Sequence, residues 1–532
     1  MWVRHRVEWI TALAAVLLGA VYLLLPPMGS DLAAQVARAG FFTEHGVTPV
    51  DLRWYAGVEQ FGYSLVSQPV MALLGVRLTG VLTLVAGPVL LAVLFRRTGA
   101  ARPLLGALLG VAGFAGNLVS GRVTYGLGVC FGLAAVVLLT FPRWRRLAAA
   151  PAFLAGATSP VAGLFTGLAG TALILSALPA GGRRLRDGLL LAVPAAVPLA
   201  VTALLFGDGG WMNISRTDTL HAVVTGLLVA LLVPLRPVRI GALLSSAGVL
   251  AAALIHTPVG LNATRLATMF ALPVLAAYAT LPRTPEWAGE APGESRRWRP
   301  TVALLALLVA VAWWQPMVVP GDVRDIGNPS ADEAYFRPLR DRLAAETLTG
   351  RVEIPATRSY WEAASMGGIP LARGWLRQAD IDRNPLFFTT VPGASGTGVT
   401  LTPGSYRAWL DNEAVQFVAV PDVELAWPGR TEAEMVTAGL PYLSLIWSDA
   451  HWRLYEVADP RPIVADPATL VRQDGATIVF DAPAAGEVAV RVRHHRWLTA
   501  SGGATVTADG EWTRVRVPAA GRYTLTSRLI RA

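Results

Sequence analysis

Leu23-Leu24-Leu25-Pro26-Pro27-Met28-Gly29-Ser30-Asp31 ends the first apolar run of the chain and opens its first polar one. The run before it, 7–25, is long enough to cross a bilayer core, which takes roughly 17–25 residues. Two prolines stop the helix there, because proline lacks an amide donor and restricts the residue before it. An acid then appears where the chain leaves hydrocarbon. An ionised group in that place is costly and persists only with a partner or a task. The opening Met1-Trp2-Val3-Arg4-His5-Arg6 mimics a secretory signal, but no Ala-x-Ala-like site follows the apolar run. The expectation is therefore a retained first helix.

Outward from this stretch the pattern repeats. Of the 532 residues, 53% are hydrophobic, and apolar runs separated by short Arg-bearing loops continue to about Pro320. Expected spans are 7–25, 78–95, 103–119, 124–141, 147–158, 160–178, 188–206, 219–234, 240–256, 265–281 and 300–317. The fifth is too short to cross alone and is split from the sixth at Ser159-Pro160, so 147–178 reads as a broken pair of helices. The first 320 residues carry 23 Arg against 11 acids and the rest 22 Arg against 25 acids; there is no Lys. The basic excess thus belongs to loops between apolar runs, which excludes nucleic acid as its partner. Cys130 is the only cysteine and lies in an apolar run, so no disulfide forms within the chain.

Cytoplasmic loops of membrane proteins are enriched in basic residues. With the N-terminus in the cytoplasm, inner loops hold Arg4, Arg6, Arg96, Arg97, Arg102, Arg143, Arg145, Arg146, Arg183, Arg184, Arg186, Arg236, Arg239, Arg283, Arg296, Arg297 and Arg299. Outer segments hold only Arg38, Arg53, Arg77, Arg122, Arg216 and Arg265. About eleven crossings then leave the C-terminal region outside. Asp31, the turn at Gly121-Arg122, the Thr158-Ser159-Pro160 break, the 207–218 loop and the segment His256 to Arg265 share that outer face. This convergence is the main functional signal.

The loop 26–70 is the longest of the membrane half. Asp31 to Phe42 reads as a short helix lying in the membrane interface, with Asp31, Gln35 and Arg38 on one face. Asp51-Leu52-Arg53-Trp54-Tyr55 and Gly62-Tyr63-Ser64-Leu65-Val66-Ser67-Gln68-Pro69 follow, polar and aromatic with little periodicity. Taken singly, Asp31 also reads as a helix cap or a partner of Arg38, and Arg122 and Arg265 as interfacial anchors. His45 and His256 read as polar boundary residues. Taken together, one carboxylate and two guanidiniums face one surface. Guanidinium matches phosphate oxygens, and a carboxylate beside a hydroxyl acts as a general base.

Several stretches carry a resemblance. They are the first-span exit at Gly29-Ser30-Asp31, Ser120-Gly121-Arg122-Val123-Thr124-Tyr125-Gly126-Leu127-Gly128, and Thr158-Ser159-Pro160-Val161-Ala162-Gly163-Leu164-Phe165. Pro258-Val259-Gly260-Leu261-Asn262-Ala263-Thr264-Arg265-Leu266, Pro370-Leu371-Ala372-Arg373-Gly374-Trp375-Leu376-Arg377-Gln378 and His451-Trp452-Arg453-Leu454-Tyr455 complete the set. With the long first loop and the outer C-terminal region, the chain resembles the GT-C class of polyprenyl-phosphate-dependent glycosyltransferases. The individual stretches resemble integral membrane proteins of high-GC Gram-positive bacteria. The resemblance implies that Asp31 is the catalytic aspartate and that Arg265, with Arg122, holds donor phosphate. It implies a polyprenyl-phosphate sugar as donor and an envelope glycan, lipid or protein as acceptor. No cofactor is expected. Some relatives carry an adjacent acidic pair where Leu32 follows Asp31, so the question of a divalent metal stays open.

Beyond Gly321 the chain reads as soluble protein. Residues 321–462 alternate helix and strand, with strands expected at 351–355, 414–420 and 452–457: an α/β module. Residues 463–532 alternate apolar and polar positions with turns at Ala508-Asp509-Gly510 and Ala519-Ala520-Gly521, a small β-sandwich. Arg373, Trp375 and Arg377, together with Gln35, Arg38, His45, Asp51, Trp54, Tyr55, His256 and Asn262, are the candidate substrate contacts. The expected architecture is thus a helical membrane domain, 1–320, followed by two extracytoplasmic modules. Its expected activity is inverting sugar transfer. A lipid or glycolipid transporter, and a non-catalytic assembly factor on the same scaffold, are the alternatives.

Overall fold

The computed structural model describes residues 5–179, 181–207, 209–281 and 295–529. Arg4 and Arg283 lie outside the described residues, as do the side chains of Arg296, Arg297 and Arg299. The first helix, α1 (Arg6–Leu24), leads into α2 (Leu32–His45), two short strands β1 (Val50–Asp51) and β2 (Val58–Glu59), and α3 (Ser67–Leu74). The bundle continues with α4 (Val76–Arg97), α5 (Pro103–Val119), α6 (Val123–Leu139), α7 (Ala149–Thr158), α8 (Pro160–Ala177) and α9 (Arg183–Leu205). It closes with α10 (Arg216–Leu232), α11 (Arg236–Leu254), α12 (Arg265–Tyr278) and α13 (Ser295–Trp314). All eleven expected runs are helices. Six helical segments among the described residues are long and apolar enough to cross a membrane.

The bundle is apolar on both sides. Leu91, Phe95, Phe114, Leu118, Leu272 and Leu275 pack inside it, while Leu17, Leu24, Leu204, Leu231, Leu254 and Val309 face outward. An outward apolar belt suits lipid, and every backbone group beneath it must be satisfied within a helix. α7 and α8 meet at Ser159, whose extended backbone breaks the run and whose hydroxyl caps Ala162 N at 3.4 Å. Gly170 of α8 and Gly188 of α9 let the two backbones touch; a Cβ on either would strike the other's carbonyl.

The C-terminal part forms a head. Its helices are α14 (Pro320–Val323), α15 (Arg337–Ala344), α16 (Glu362–Ser365), α17 (Arg377–Arg383), α18 (Pro403–Asn412) and α19 (Trp427–Ala438). They surround a sheet of β3 (Arg351–Glu353), β4 (Val415–Pro421), β5 (Leu443–Ser448) and β6 (Trp452–Val457), ordered β3-β4-β6-β5. β3 is parallel to β4, and the other pairs are antiparallel. The sandwich follows, with β7 (Thr469–Gln473), β8 (Thr477–Ala482), β9 (Gly486–Arg493), β10 (Leu498–Ala500), β11 (Thr505–Asp509), β12 (Trp512–Val517) and β13 (Gly521–Ser527). Its sheets are β10-β13-β8-β7 and β11-β12-β9. Ile478, Phe480, Val490, Val515 and Leu525 fill the space between them.

One expectation is corrected. α2 does not lie in a lipid interface. Leu32, Ala33 and Ala37 are buried with Trp54, Tyr55 and Val58 against Tyr335, Phe336, Leu339, Phe417 and Trp452 of the head. Val50 and Leu52 enter the sandwich core. The backbones are stitched as well: Leu52 N donates to Gly475 O at 2.8 Å, Leu371 N to Arg53 O at 2.7 Å and Arg493 N to Ala56 O at 2.9 Å. By packing, the first loop belongs to the head, although in sequence it precedes most of the bundle.

Candidate active site between bundle and head

The turn that carries Asp31 is held from three directions. Gly29 adopts φ 105°, a conformation that favours glycine, and a side chain there would overlap the Val119 carbonyl oxygen. Gly29 N donates to Asp325 Oδ2 and Ser30 N to Asp322 Oδ1, both at 3.1 Å. Ser120 Oγ donates to Asp322 Oδ2 at 2.5 Å, and Asp31 N donates to Ser120 O at 3.0 Å. From the head, Trp375 Nε1 donates to Ser30 O at 2.8 Å. The loop between α5 and α6, the start of the head and the Trp375 segment thus fix one turn.

Asp31 precedes α2, yet its carboxylate makes no cap bond to that helix. Its Oδ2 lies 3.3 Å from Arg122 Nε and 3.3 Å from Arg265 Nη2. Arg122 stands at the turn between α5 and α6, and Arg265 begins α12 with its guanidinium 5.2 Å from the Tyr125 ring centroid. Three distant segments therefore meet at one carboxylate oxygen. Arg38 points elsewhere: its guanidinium sits 4.1 Å from the Tyr63 ring centroid and bonds Gln60 Oε1 at 3.3 Å.

This cluster lines a cavity of about 1200 Å³ between bundle and head. The bundle wall carries Tyr125, Ser159, Leu164, Leu199, Phe206 and Trp314. Leu164, Leu199, Ala203 and Phe206 make this side of the cavity largely apolar. The head wall carries Arg358, Tyr360, Trp375, Arg377, Trp427 and Arg430. Among the described residues, the lining includes none of the Arg-rich loops at the opposite end of the bundle.

Of the sequence candidates, Asp31, Arg122, Arg265, Arg38, Asn262, Trp375 and Arg377 line the cavity. Gln35 lies just behind it, donating to Tyr63 at 2.7 Å and accepting from Thr124 at 2.6 Å. The other candidates stand apart from the lining. His45 packs on Phe41 with ring centroids 4.9 Å apart. Asp51 is buried beneath Arg53, which reaches it at 2.8 Å. Trp54 lies against Gly374 and donates to Ala363 O at 3.3 Å; the Tyr55 hydroxyl bonds Gly374 O. His256 is exposed and stacks on Trp211 at 4.1 Å.

Arg373 is buried among Asp380, Glu432 and Glu353 at 3.1, 3.1 and 3.4 Å. Burial opposes its charge, but the three acids outweigh burial and hold its pKa well above the ordinary guanidinium range. Burial and the nearby Glu432 push Glu353 well above the ordinary carboxylate range. Arg358, Tyr360, Trp427 and Arg430 also line the cavity without standing out in the sequence. The pairing of Trp427 with Arg430, an aromatic and a cation on one helical turn, was the available signal.

Guanidiniums can bind an anion and a carboxylate can take up a proton. Two guanidiniums flank a single carboxylate, a donor set that does not fit a divalent cation. Among the described residues no group of three or more His, Cys, Asp or Glu is placed to hold a metal ion. No family model and no curated protein matches the sequence. Among solved structures, the chain is similar to the arabinofuranosyltransferase AftD from Mycobacteria, at 17% identity and a TM-score of 0.47. That match covers 90% of this chain and 41% of the other; in a second AftD structure the shares are 98% and 60%. The chain thus spans about half the length of AftD. It is also similar to ArnT from Cupriavidus metallidurans bound to undecaprenyl phosphate, at 14% identity and a TM-score of 0.45, over 85% of this chain and 99% of that one.

Proposed function

We propose that this protein is a membrane glycosyltransferase of GT-C type. It takes a sugar from a polyprenyl-phosphate donor and passes it to a cell-envelope acceptor, with the head and the cavity on the extracytoplasmic side. The observation that carries this reading is the Asp31 carboxylate held between Arg122 and Arg265 in a large cavity whose bundle wall is largely apolar. The apolar wall suits a polyprenyl tail, and the guanidiniums suit its phosphate.

In the proposed reaction an acceptor hydroxyl attacks the anomeric carbon. Its proton passes to Asp31, and the bond from the anomeric carbon to the phosphate oxygen breaks on the opposite face. The polyprenyl phosphate leaves with both electrons of that bond, its charge stabilised by Arg122 and Arg265. The anomeric configuration inverts. Phosphate competes with Asp31 for the guanidiniums, so donor binding frees the carboxylate to accept a proton. The confinement of the cavity to the head side of the bundle favours transfer over transport. The test is release of polyprenyl phosphate from a panel of polyprenyl-phosphate sugars by the reconstituted protein. Asp31→Asn is expected to lower turnover by at least a hundredfold, in keeping with loss of a general base. Undiminished turnover in that variant overturns the mechanism.

A further inference from the structure

The head wall of the cavity holds three cations in unlike states. Arg358 pairs with Glu424 at 2.6 Å and approaches Asp325 at 4.0 Å. Arg430 shares Glu424 at 3.6 Å. Arg377 has no such partner among the described residues: its guanidinium donates to the Tyr360 hydroxyl at 3.2 Å, and around it stand the rings of Trp427, Phe388 and Tyr360 with centroids 5.6, 6.0 and 6.0 Å away. Asp380 on the same short helix is taken up by Arg373 and by Asn384, the latter at 2.8 Å. No carboxylate is therefore within ion-pair distance of Arg377 among the described residues.

A guanidinium in a walled cavity with no carboxylate in ion-pair contact favours an incoming anion, and its planar fork donates to two oxygens at once. The rings add a stacking surface of the kind sugar faces use. Tyr360 is held at φ 59°, a costly conformation for an aromatic residue, and its hydroxyl meets the guanidinium there. The segment is also anchored to the transfer site, because Trp375, two residues before Arg377, donates to the carbonyl of Ser30, next to Asp31.

We propose that this wall is an anion-recognition subsite, and that the acceptor is a glycan carrying a carboxylate or a phosphate. Arg377 receives the anion, and Trp427 and Trp375 flank the sugar. This rests on reading the cavity as a transfer site.

The test uses the full-length protein in lipid nanodiscs without donor, so that nothing turns over. Binding is measured for trigalacturonate, its methyl ester, maltotriose and a maltotriose phosphate monoester. One or both charged probes are expected to bind about tenfold more tightly than their neutral counterparts, the size of a charge-assisted hydrogen-bond pair. Which charged probe wins distinguishes carboxylate from phosphate. Arg377→Gln is expected to abolish the preference, and Arg377→Lys to keep part of it. Equal binding of charged and neutral probes, binding of none, or an undiminished preference in Arg377→Gln overturns the subsite. Those results leave the transfer reading untouched, since Asp31→Asn turnover decides that separately.

Discussion

Asp51→Asn separates a structural carboxylate from a substrate contact. Asp51 is wholly buried. It accepts from Arg53 N at 2.9 Å, from Arg53 Nε at 3.0 Å, from Arg53 Nη2 at 2.8 Å and from Gln60 Nε2 at 3.1 Å. Arg53 is itself nearly buried, and its guanidinium's other described hydrogen bond is to Ala37 O at 2.9 Å. The amide keeps the shape but leaves the guanidinium without its counter-charge inside the joint between first loop and head. Breaking one side of a buried pair costs about 3–5 kcal/mol. For a unit the size of the head this lowers the melting temperature by about 10 °C. The assay is thermal unfolding followed by tryptophan fluorescence, since Trp54 and Trp452 lie in the affected core. Replacing both partners, Asp51→Leu with Arg53→Met, is expected to recover most of the loss, because a well-packed apolar pair is often as stable as a buried ionic one. A melting temperature unchanged within about 2 °C, together with loss of substrate binding, refutes the structural assignment.

Three further outcomes follow from the same geometry. Burial, opposed by hydrogen bonds from Thr357, pushes the Glu362 carboxyl up to about 7. The folded state therefore holds a proton that the unfolded state releases near pH 4.5, and its contribution is full at low pH and lost as pH rises through 7. Glu362→Gln is expected to flatten the fall in melting temperature between pH 5 and 8, a term of about 3 kcal/mol at most; an unaltered slope counts against it. Trp375→Phe removes the bond to Ser30 O, so turnover is expected to fall about tenfold with donor KM nearly unchanged, as expected when a positioned base shifts; an intact kcat would contradict the anchoring role. Gly29→Ala forces both an overlap with Val119 and a strained backbone. It should prevent accumulation of folded protein in a detergent-solubilised expression assay, and a normally folded Gly29→Ala protein would show that the turn is not fixed as described.

The helices of the bundle were legible because hydrocarbon imposes long apolar runs and Arg marks their ends on one side. The sharing of one face by Asp31, Arg122 and Arg265 followed from that count, but their meeting at a single oxygen did not. It depends on the turn 26–31, which residues of the head hold in place. The burial of α2 was hidden for a related reason. Its Ala and Leu face has the same periodicity whether lipid or protein covers it. Arg373 and Arg377 read alike in sequence, since no periodicity orients an irregular segment. Only the fold turns the first into a buried ion cluster and the second into the cavity wall. Short edge strands such as β7 and β10 also went unread, being too brief to show alternation.

The most direct test of the account is a structure of the protein in nanodiscs with polyprenyl phosphate bound. The account predicts the phosphate between Arg122 and Arg265, in hydrogen-bond contact with both, the tail along the apolar wall of Leu164 and Leu199, and the Asp31 carboxylate facing the space beside the phosphate. A phosphate bound elsewhere, with the ion pairs of Asp31 to Arg122 and Arg265 undisturbed, would contradict it.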